Sequence, residues 1–290
     1  MHNRLLDFFL QRKFGIHEDG ERSNRAIKHN RLVFSARYIQ GTGIEVGGLT
    51  RPLPIPPGVM VKYVDRMPKE ELYENFPETK GTNTVKPDIV DDAETLSTIG
   101  DASQDFVIAN HVIEHLQNPI RFFHNASRVL RPGGIIFMAL PDKRHTFDQN
   151  RPVTSFEHLK EDFEKGPEGS MRGHYREFVR LAETHNGTQA WSTEEEYDEL
   201  VEKLIADDYS IHFHVWDFVA ILGMLLRLRS DYALPLLPLA FLETGDEVIS
   251  IIRRGVPHVP EPAIQPKSPG AKPGLSSNRA GRSPGLWRFR

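Results

Sequence analysis

One stretch of the chain, residues 86–142, constrains the fold more than any other because its apolar spacing changes in a fixed order. The apolar runs are Ile89–Val90, Phe106–Ala109 and Ile135–Leu140, and a helically spaced set between the last two comprises Ile120, Phe123, Ala126, Val129 and Leu130. Apolar runs without alternation indicate strands buried on both faces, as in parallel sheets flanked by helices. The turn at residues 131–134 is predicted to end the helix before the third strand begins. The sequence therefore predicts an α/β domain.

The remaining strands extend this sheet on both sides. Residues 43–46 and 59–64 are predicted to be its first two strands. The runs at residues 239–242 and 248–252 are separated by a polar turn, so we expect them to form a terminal hairpin.

We expect three parts along the chain. Residues 1–40 form a helical extension, which we interpret as a lid or brace, residues 41–255 form the main domain, and residues 256–290 form a disordered basic tail. Within the main domain, residues 143–210 are predicted to be a helical insertion that covers the acceptor side. Two helices are expected in the extension, at residues 3–13 and about 22–38. Three more are expected in the insertion, at about 155–165, 173–184 and 194–207.

Composition excludes several classes of protein. The net charge is -4, and residues 256–290 hold six Lys or Arg against one Glu, so by subtraction the rest of the chain carries about -9. An acidic body is a poor nucleic-acid binder. The absence of cysteine excludes disulfides and thiol catalysis and fits a reducing cytoplasm. No apolar run is long enough to span a bilayer, so we expect no membrane insertion.

Three strand ends carry residues that suit an adenine nucleoside. The first strand ends in Glu45, followed by Gly47 and Gly48, the second ends at Asp65, and the third at residues 91–92. Glycines let a ligand approach the backbone closely, and a strand-end carboxylate can accept bonds from both ribose hydroxyls. Each feature alone is more often a turn or a helix cap. Their order and spacing together predict nucleoside binding.

The chain resembles the class I S-adenosylmethionine-dependent methyltransferases of the methyltransferase type 11 kind. Residues 105–116 and 128–134 carry this resemblance most specifically. Residues 50–53 and 141–148 resemble, more narrowly, a bacterial subgroup associated with polysaccharide biosynthesis. The resemblance implies a Rossmann-like, mostly parallel seven-stranded sheet that ends in an antiparallel hairpin, with S-adenosylmethionine as the cofactor.

The resemblance also implies a cofactor site at the strand ends. The loop departs from the usual pattern, because Leu49 and Arg51 stand where glycines are common and prolines follow. The implied cofactor-binding residues are Glu45, Gly47 and Gly48 on the loop, Asp65 at the ribose, Asp92 and Ala93 beside adenine, and Asn110 and His111 beside the methionine part.

Three histidines are candidates for a general base, because neutral histidine suits that role near pH 7. We hypothesise that His214, His111 and His145, in that order of preference, meet over the transferable methyl group. The alternative is that these rings only shape the pocket, with Asp142 or Asp148 as the next candidate base.

A metal site is the less favoured interpretation of the histidines. His212 and His214 alternate along an extended segment and so share a face, as a two-histidine ligand pair would. No carboxylate stands at a tight ligand spacing beside them, so we interpret them as pocket or packing residues and predict no metal site. His111 and His115 are four residues apart and can line one helical face.

The function predicted from these patterns is methyl transfer to a small-molecule or glycan acceptor, with oxygen as the favoured acceptor atom. One alternative is a non-catalytic scaffold of the same fold in a polysaccharide-assembly system. Another is a nicotinamide-dependent Rossmann enzyme, which requires a glycine-rich turn opening into a helix and is contradicted by the prolines at residues 52–57. The sequence leaves the oligomeric state open, a homo-oligomer included.

Overall fold

The computed structural model describes residues 18–75, 84–182 and 191–255. These residues form a seven-stranded sheet with the strand order β3-β2-β1-β4-β5-β7-β6. The strands are β1 Thr42–Val46, β2 Met60–Asp65, β3 Ile89–Val90, β4 Gln104–Asn110, β5 Leu130–Pro141, β6 Leu236–Glu243 and β7 Glu247–Arg254.

The pairing confirms the predicted fold class. Strands β1 to β5 pair in parallel, and β7 runs antiparallel to both β5 and β6. This is the Rossmann-like class I methyltransferase arrangement, including the C-terminal antiparallel pair and the helical insertion after β5. Each predicted strand is present, with ends that differ from prediction by a few residues.

The helices also lie close to the predicted segments. Helix α3 begins at Pro119 because the side chain of Asn118 accepts a hydrogen bond from the amide of Arg121. The helices are α1 Glu18–Tyr38, α2 Lys69–Asn75, α3 Pro119–Val129, α4 Phe156–Lys165, α5 Glu168–Glu177, α6 Glu194–Ala206 and α7 Phe218–Tyr232. A π-helical turn, Phe178–Ala182, continues α5.

The Arg-Pro-Gly-Gly turn differs from its predicted role as a separator between helix and strand. Strand β5 begins at Leu130, which pairs with Gln104, and the next paired residue, Ile135, faces Phe106. Residues 131–134 therefore form an irregularity inside the strand pairing. Gly133 has φ +87°, a left-handed conformation that glycine adopts without steric cost.

The central strands are buried on both faces, as the uninterrupted apolar runs predict. Along β4, Val107 and Ala109 pack into one apolar cluster with α3 and α7, whereas Phe106 and Ile108 pack into a second cluster on the other face. A third cluster, built from Tyr175, Val179, Tyr197 and Val201 among others, lies within the insertion. The insertion thus has an apolar core of its own.

Two predicted segments, the helix at residues 3–13 and the disordered tail at 256–290, lie outside the described residues. The domain boundaries remain predictions. Within the described ranges, no helix has both the length and the apolar character that crossing a bilayer requires.

Candidate active site at the carboxyl ends of the strands

The parallel strands bring the predicted site residues to one edge of the sheet. Val46 pairs with Val64 on β2 and with Ala109 on β4, so the residues that follow these strands are neighbours. We call this edge the rim and define it as residues 45–48, 65, 91–93 and 110–111.

Glu45 is the most deeply buried carboxylate of the rim, at 1% exposure. Its Oε1 accepts a hydrogen bond from the amide of Leu53 at 2.8 Å, whereas its Oε2 has no partner among the described residues. Burial raises the pKa of Glu45 to about 7, against the lowering effects of Leu53 and of Arg31. Next to it, Gly47 has φ +64°, and a Cβ at Gly48 would lie 3.1 Å from the ring of Tyr63.

Asp65 ends β2 as predicted. Its Oδ1 accepts a hydrogen bond from the amide of Arg66 at 2.8 Å, and burial raises its pKa to about 6. At the end of β3, Asp91 is fully engaged by Ser97 and Thr98, so it organises the loop that follows.

The two residues predicted beside adenine have different surroundings. Asp92 is exposed and accepts a hydrogen bond from the amide of Glu94 at 2.7 Å. Ala93 is half-buried and packs against the apolar core. Both lie at the rim, where a flat ligand can contact them.

Asn110 ends β4 with its amide group buried, at 9% exposure. Neither its side-chain oxygen nor its side-chain nitrogen has a hydrogen-bond partner within the described part of the chain. Such groups are rarely left unpaired in native proteins, so Asn110 is available to a ligand.

His111 follows Asn110 in a left-handed conformation, with φ +54°. Residues other than glycine adopt this conformation at an energetic cost, and such strain is concentrated at functional sites. Nε2 of His111 lies 2.9 Å from Oε2 of Glu247, and Nδ1 lies 3.4 Å from Oε1 of Glu114. The His111 side chain is 40% exposed, so solvent and ligands can reach it.

Glu247 connects His111 to helix α1. Arg31 contacts both carboxylate oxygens of Glu247, with Nε 3.0 Å from Oε1 and Nη2 2.5 Å from Oε2. Burial alone would raise the pKa of Glu247, but the hydrogen bonds from His111 and Arg31 lower it to about 2. An ionised carboxylate therefore faces His111 across the working pH range.

A second carboxylate, that of Glu114, lies close to Nδ1 of His111. Glu114 is fully buried, and both of its carboxylate oxygens lack a hydrogen-bond partner in the part of the chain that the structure describes. Burial raises the pKa of Glu114. Ligand atoms of Glu114, His115 and His212 lie within 4.8 Å of one another.

Asp148, one of the two carboxylates considered as the next candidate base, is held by contacts inside the protein. Its carboxylate lies 2.6 Å from Nδ1 of His212 and 2.8 Å from Nη1 of Arg151. Asp142, the other candidate, accepts hydrogen bonds from Arg144 and from the amide of Phe218. Both carboxylates are committed to structural contacts.

The structure gives the three candidate histidines separate surroundings. His145 is 45% exposed and lies 3.6 Å from Glu243, on the turn side of the β6–β7 hairpin. His214 is completely buried and packs against Trp216. His111 alone lies on the rim. The three histidines make no direct contact with one another, so no contact supports the hypothesis that they meet over one methyl group. Their catalytic roles remain predictions.

Sequence reasoning missed Arg31, Glu247 and Glu114. One signal was available for Glu247, because a single acid stands at the start of a strand that is apolar except for Ser250, residues 247–252. Nothing in the sequence indicated that Arg31 would reach it across 216 residues. Glu114 stands inside the segment that carries the family resemblance, but its burial depends on tertiary contacts, among them the amides of Phe213 and His214 that donate to its carbonyl oxygen.

Comparison with known families identifies residues 60–138 as matching a methyltransferase domain. That match covers β2 to most of β5, and it implies S-adenosylmethionine as the cofactor. A search of curated proteins finds no match.

Solved structures of similar fold have little sequence identity to this chain. A SAM-dependent methyltransferase from Thermotoga maritima is 13% identical with a TM-score of 0.39, covering 85% of this chain and 99% of its own. One from Methanosarcina mazei is 16% identical with a TM-score of 0.39, covering 76% and 96%. A Rhodobacter sphaeroides protein named for Zn-dependent alcohol dehydrogenases is 13% identical with a TM-score of 0.48, covering 77% and 88%. At these TM-scores the structural similarity does not indicate the function of this chain.

Proposed function

Since residues 60–138 match a methyltransferase domain, we propose that this protein transfers the methyl group of S-adenosylmethionine to a hydroxyl of a small-molecule or glycan acceptor. The observation that carries the proposal is the unpartnered amide of Asn110 at the end of β4, beside the exposed ring of His111. The narrower resemblance of residues 50–53 and 141–148 supports a sugar acceptor in polysaccharide assembly.

The rim has the groups that this cofactor requires. Asn110 and Oε2 of Glu45 offer buried polar atoms without partners among the described residues, and at Gly47 and Gly48 a Cβ would come within 3.0 Å of Val112 and 3.1 Å of Tyr63. Asp65 would hold the ribose, Asp92 and Ala93 would flank adenine, and Asn110 and His111 would contact the methionine part. When bound, S-adenosylmethionine supplies an electrophilic methyl group on its sulfonium.

Positioning supplies most of the rate enhancement in such a displacement, because two reactants are held about 3 Å apart and in line. The parallel strands bring Asn110 and His111 to one rim, and the contact with Glu247 holds the ring of His111. The acceptor would approach from the side covered by the insertion.

A hydroxyl acceptor must also lose a proton, and His111 is the residue that we assign to accept it. Glu247 contacts Nε2 of His111, so the nitrogen that we assign to accept the proton is Nδ1, which lies 3.4 Å from Oε1 of Glu114. The ionised Glu247 stabilises the protonated imidazole, as the carboxylate does in a Ser-His-Asp triad. Arg31 fixes Glu247 in place. His214, being fully buried, ranks below His111 in this proposal.

Ligand-dependent thermal stability tests the proposal against its alternatives. A ligand at about 100 times its dissociation constant adds about 2.7 kcal/mol to the stability of the folded state. We expect this shift with S-adenosylmethionine and S-adenosylhomocysteine, and none with NAD or NADP. A shift with the dinucleotides alone would support the nicotinamide enzyme instead.

Turnover distinguishes an enzyme from a scaffold that binds the cofactor. We expect conversion of S-adenosylmethionine to S-adenosylhomocysteine when glycan and small-molecule hydroxyl acceptors are supplied. Cofactor binding without turnover on any acceptor that binds the protein would favour the scaffold.

A further inference from the structure

Three histidines, two from the insertion and one from the segment that follows it, lie close together. His158 lies on α4, His174 on α5, and His214 in the extended segment that precedes α7. One ring nitrogen of each lies within 4.8 Å of the others. We call these three residues the histidine cluster.

The three rings of the cluster lie in contact with one another. Nε2 of His158 lies 3.0 Å from Nε2 of His174. The ring of His214 lies 5.0 Å from that of His174 and 5.7 Å from that of His158, centroid to centroid. A zinc ion bonded to nitrogen at about 2.0–2.1 Å places tetrahedral ligand atoms roughly 3.3 Å apart, so small side-chain adjustments suffice.

One buried nitrogen of the cluster has no protein partner. His214 is completely buried, and its Nδ1 makes no hydrogen bond within the described ranges. Its other nitrogen, Nε2, lies 3.4 Å from the carbonyl oxygen of Gln117. A histidine whose one nitrogen faces a carbonyl presents the other nitrogen as a ligand, which is the usual arrangement around protein-bound metals.

A carboxylate and a cavity adjoin the cluster. Oδ2 of Asp162 lies 3.2 Å from Nε2 of His158 but accepts no hydrogen bond, and Asp162 is 2% exposed. His158 and Asp162 line a cavity of about 320 Å³, together with Glu161, Lys165, Gly166, Gly169 and Ser170. The cavity therefore reaches the His158 side of the cluster.

We propose that His158, His174 and His214 bind one Zn²⁺ ion, with Asp162 as the adjoining carboxylate. Imidazole nitrogens are preferred zinc ligands, and structural zinc sites are tetrahedral. The ion joins α4, α5 and the segment at residues 211–216, so it fixes the cover of the acceptor side. This assigns to His214 a role as a metal ligand that holds the cover in place.

Zinc binding to the full chain tests the site. After chelation and dialysis, zinc chloride is titrated and zinc per chain is measured by equilibrium dialysis and elemental analysis. We expect one equivalent for the wild type and at least tenfold weaker binding for His174→Gln and for the more exposed His158→Gln. His124→Gln is the matched control, because His124 is also a partly buried histidine with an unpartnered Nε2 but lies outside the cluster.

Melting temperature gives an independent readout. Zinc at about 100 times its dissociation constant should raise the wild-type melting temperature by roughly 5–10 °C and leave that of His174→Gln unchanged. If His158→Gln and His174→Gln both still bind one equivalent of zinc as tightly as the wild type does, the proposal is wrong. So would loss of zinc in His212→Gln but not in His174→Gln, since that result places the ion at Glu114, His115 and His212 instead. Circular dichroism confirms that each variant is folded.

Discussion

The rim and the core of the insertion differ in how far their buried polar atoms are hydrogen-bonded. At the rim, Asn110 and Glu45 keep buried polar atoms without partners. In the insertion core, Tyr175 donates to the carbonyl of Tyr209, and Tyr197 donates to the carbonyl of Arg176. Unmet hydrogen-bonding capacity at the rim costs stability and, under the proposed function, is used by a ligand, whereas the paired groups of the insertion core stabilise its shape. Exceptions within the insertion include Oδ2 of Asp162, beside the histidine cluster, and Nε1 of Trp191.

The largest expected effect tests the rim as a reaction centre. His111→Gln should lower turnover by about 10²- to 10⁴-fold even at saturating S-adenosylmethionine, because the variant loses the proton acceptor. His145→Gln is the control, since His145 is similarly exposed but contacts Glu243. Turnover is measured across pH with a hydroxyl acceptor. Wild-type turnover in His111→Gln would remove this histidine from the mechanism.

The next effect concerns the support beneath His111. Arg31→Met leaves the fully buried Glu247 without its cationic partner, and breaking a buried ion pair costs about 3–5 kcal/mol. Denaturant unfolding at pH 7 measures this loss. The pKa of Glu247, lowered from 4.5 to about 2, contributes stability that is present above pH 4.5 and lost as pH falls toward 2. The variant should therefore show a weaker loss of stability over that pH range.

Glu45→Gln should act in the opposite direction. Because burial raises the pKa of Glu45 from 4.5 to about 7, ionising it in the folded protein costs about 3 kcal/mol of stability, fully felt above pH 7. Glutamine keeps an oxygen for the amide of Leu53 and carries no charge. The variant should be more stable than wild type at pH 8.5 and equal to it near pH 4. Equal stability of the variant and the wild type at both pH values would show that burying the ionised Glu45 does not destabilise the fold.

Cofactor affinity tests Asp65 directly. Loss of a charge-assisted contact to the ribose in Asp65→Ala should weaken S-adenosylmethionine binding by about 2–3 kcal/mol, measured by calorimetry at pH 7.5. Since the pKa of Asp65 is raised to about 6, wild-type affinity should fall as pH drops below 6, and that decline should be absent in Asp65→Asn. Unchanged affinity in Asp65→Ala would exclude this residue from the ribose site.

The smallest effect is expected on the surface of the insertion. Arg172 and Glu202 form a pair in which both side chains are more than half exposed. Exposed pairs contribute about 0.2–1 kcal/mol, so Arg172→Ala should change the free energy of unfolding by less than about 1 kcal/mol. A loss of several kcal/mol would show that the insertion depends on surface charge rather than on its apolar core.

The sequence predicted the strands and the rim because both depend on local pattern. Uninterrupted apolar runs identify β4 and β5, and parallel pairing then places Asp65 and Asn110 at one edge without further information. The histidine cluster could not be predicted, because His158 and His214 are 56 residues apart and their meeting depends on how the insertion packs. Alternation suggested that His212 and His214 act as one pair, but the fold assigns them to two different groups.

The contact between Arg31 and Glu247 has a practical consequence for anyone who wishes to isolate or transplant this catalytic module. Sequence alone suggests cutting before residue 41, which would retain every strand of the sheet. Such a cut removes Arg31 and exposes the carboxylate that aligns His111. A shortened version must therefore keep Arg31, and under the proposed function a proteolytic cut of α1 that releases Arg31 is expected to lower activity.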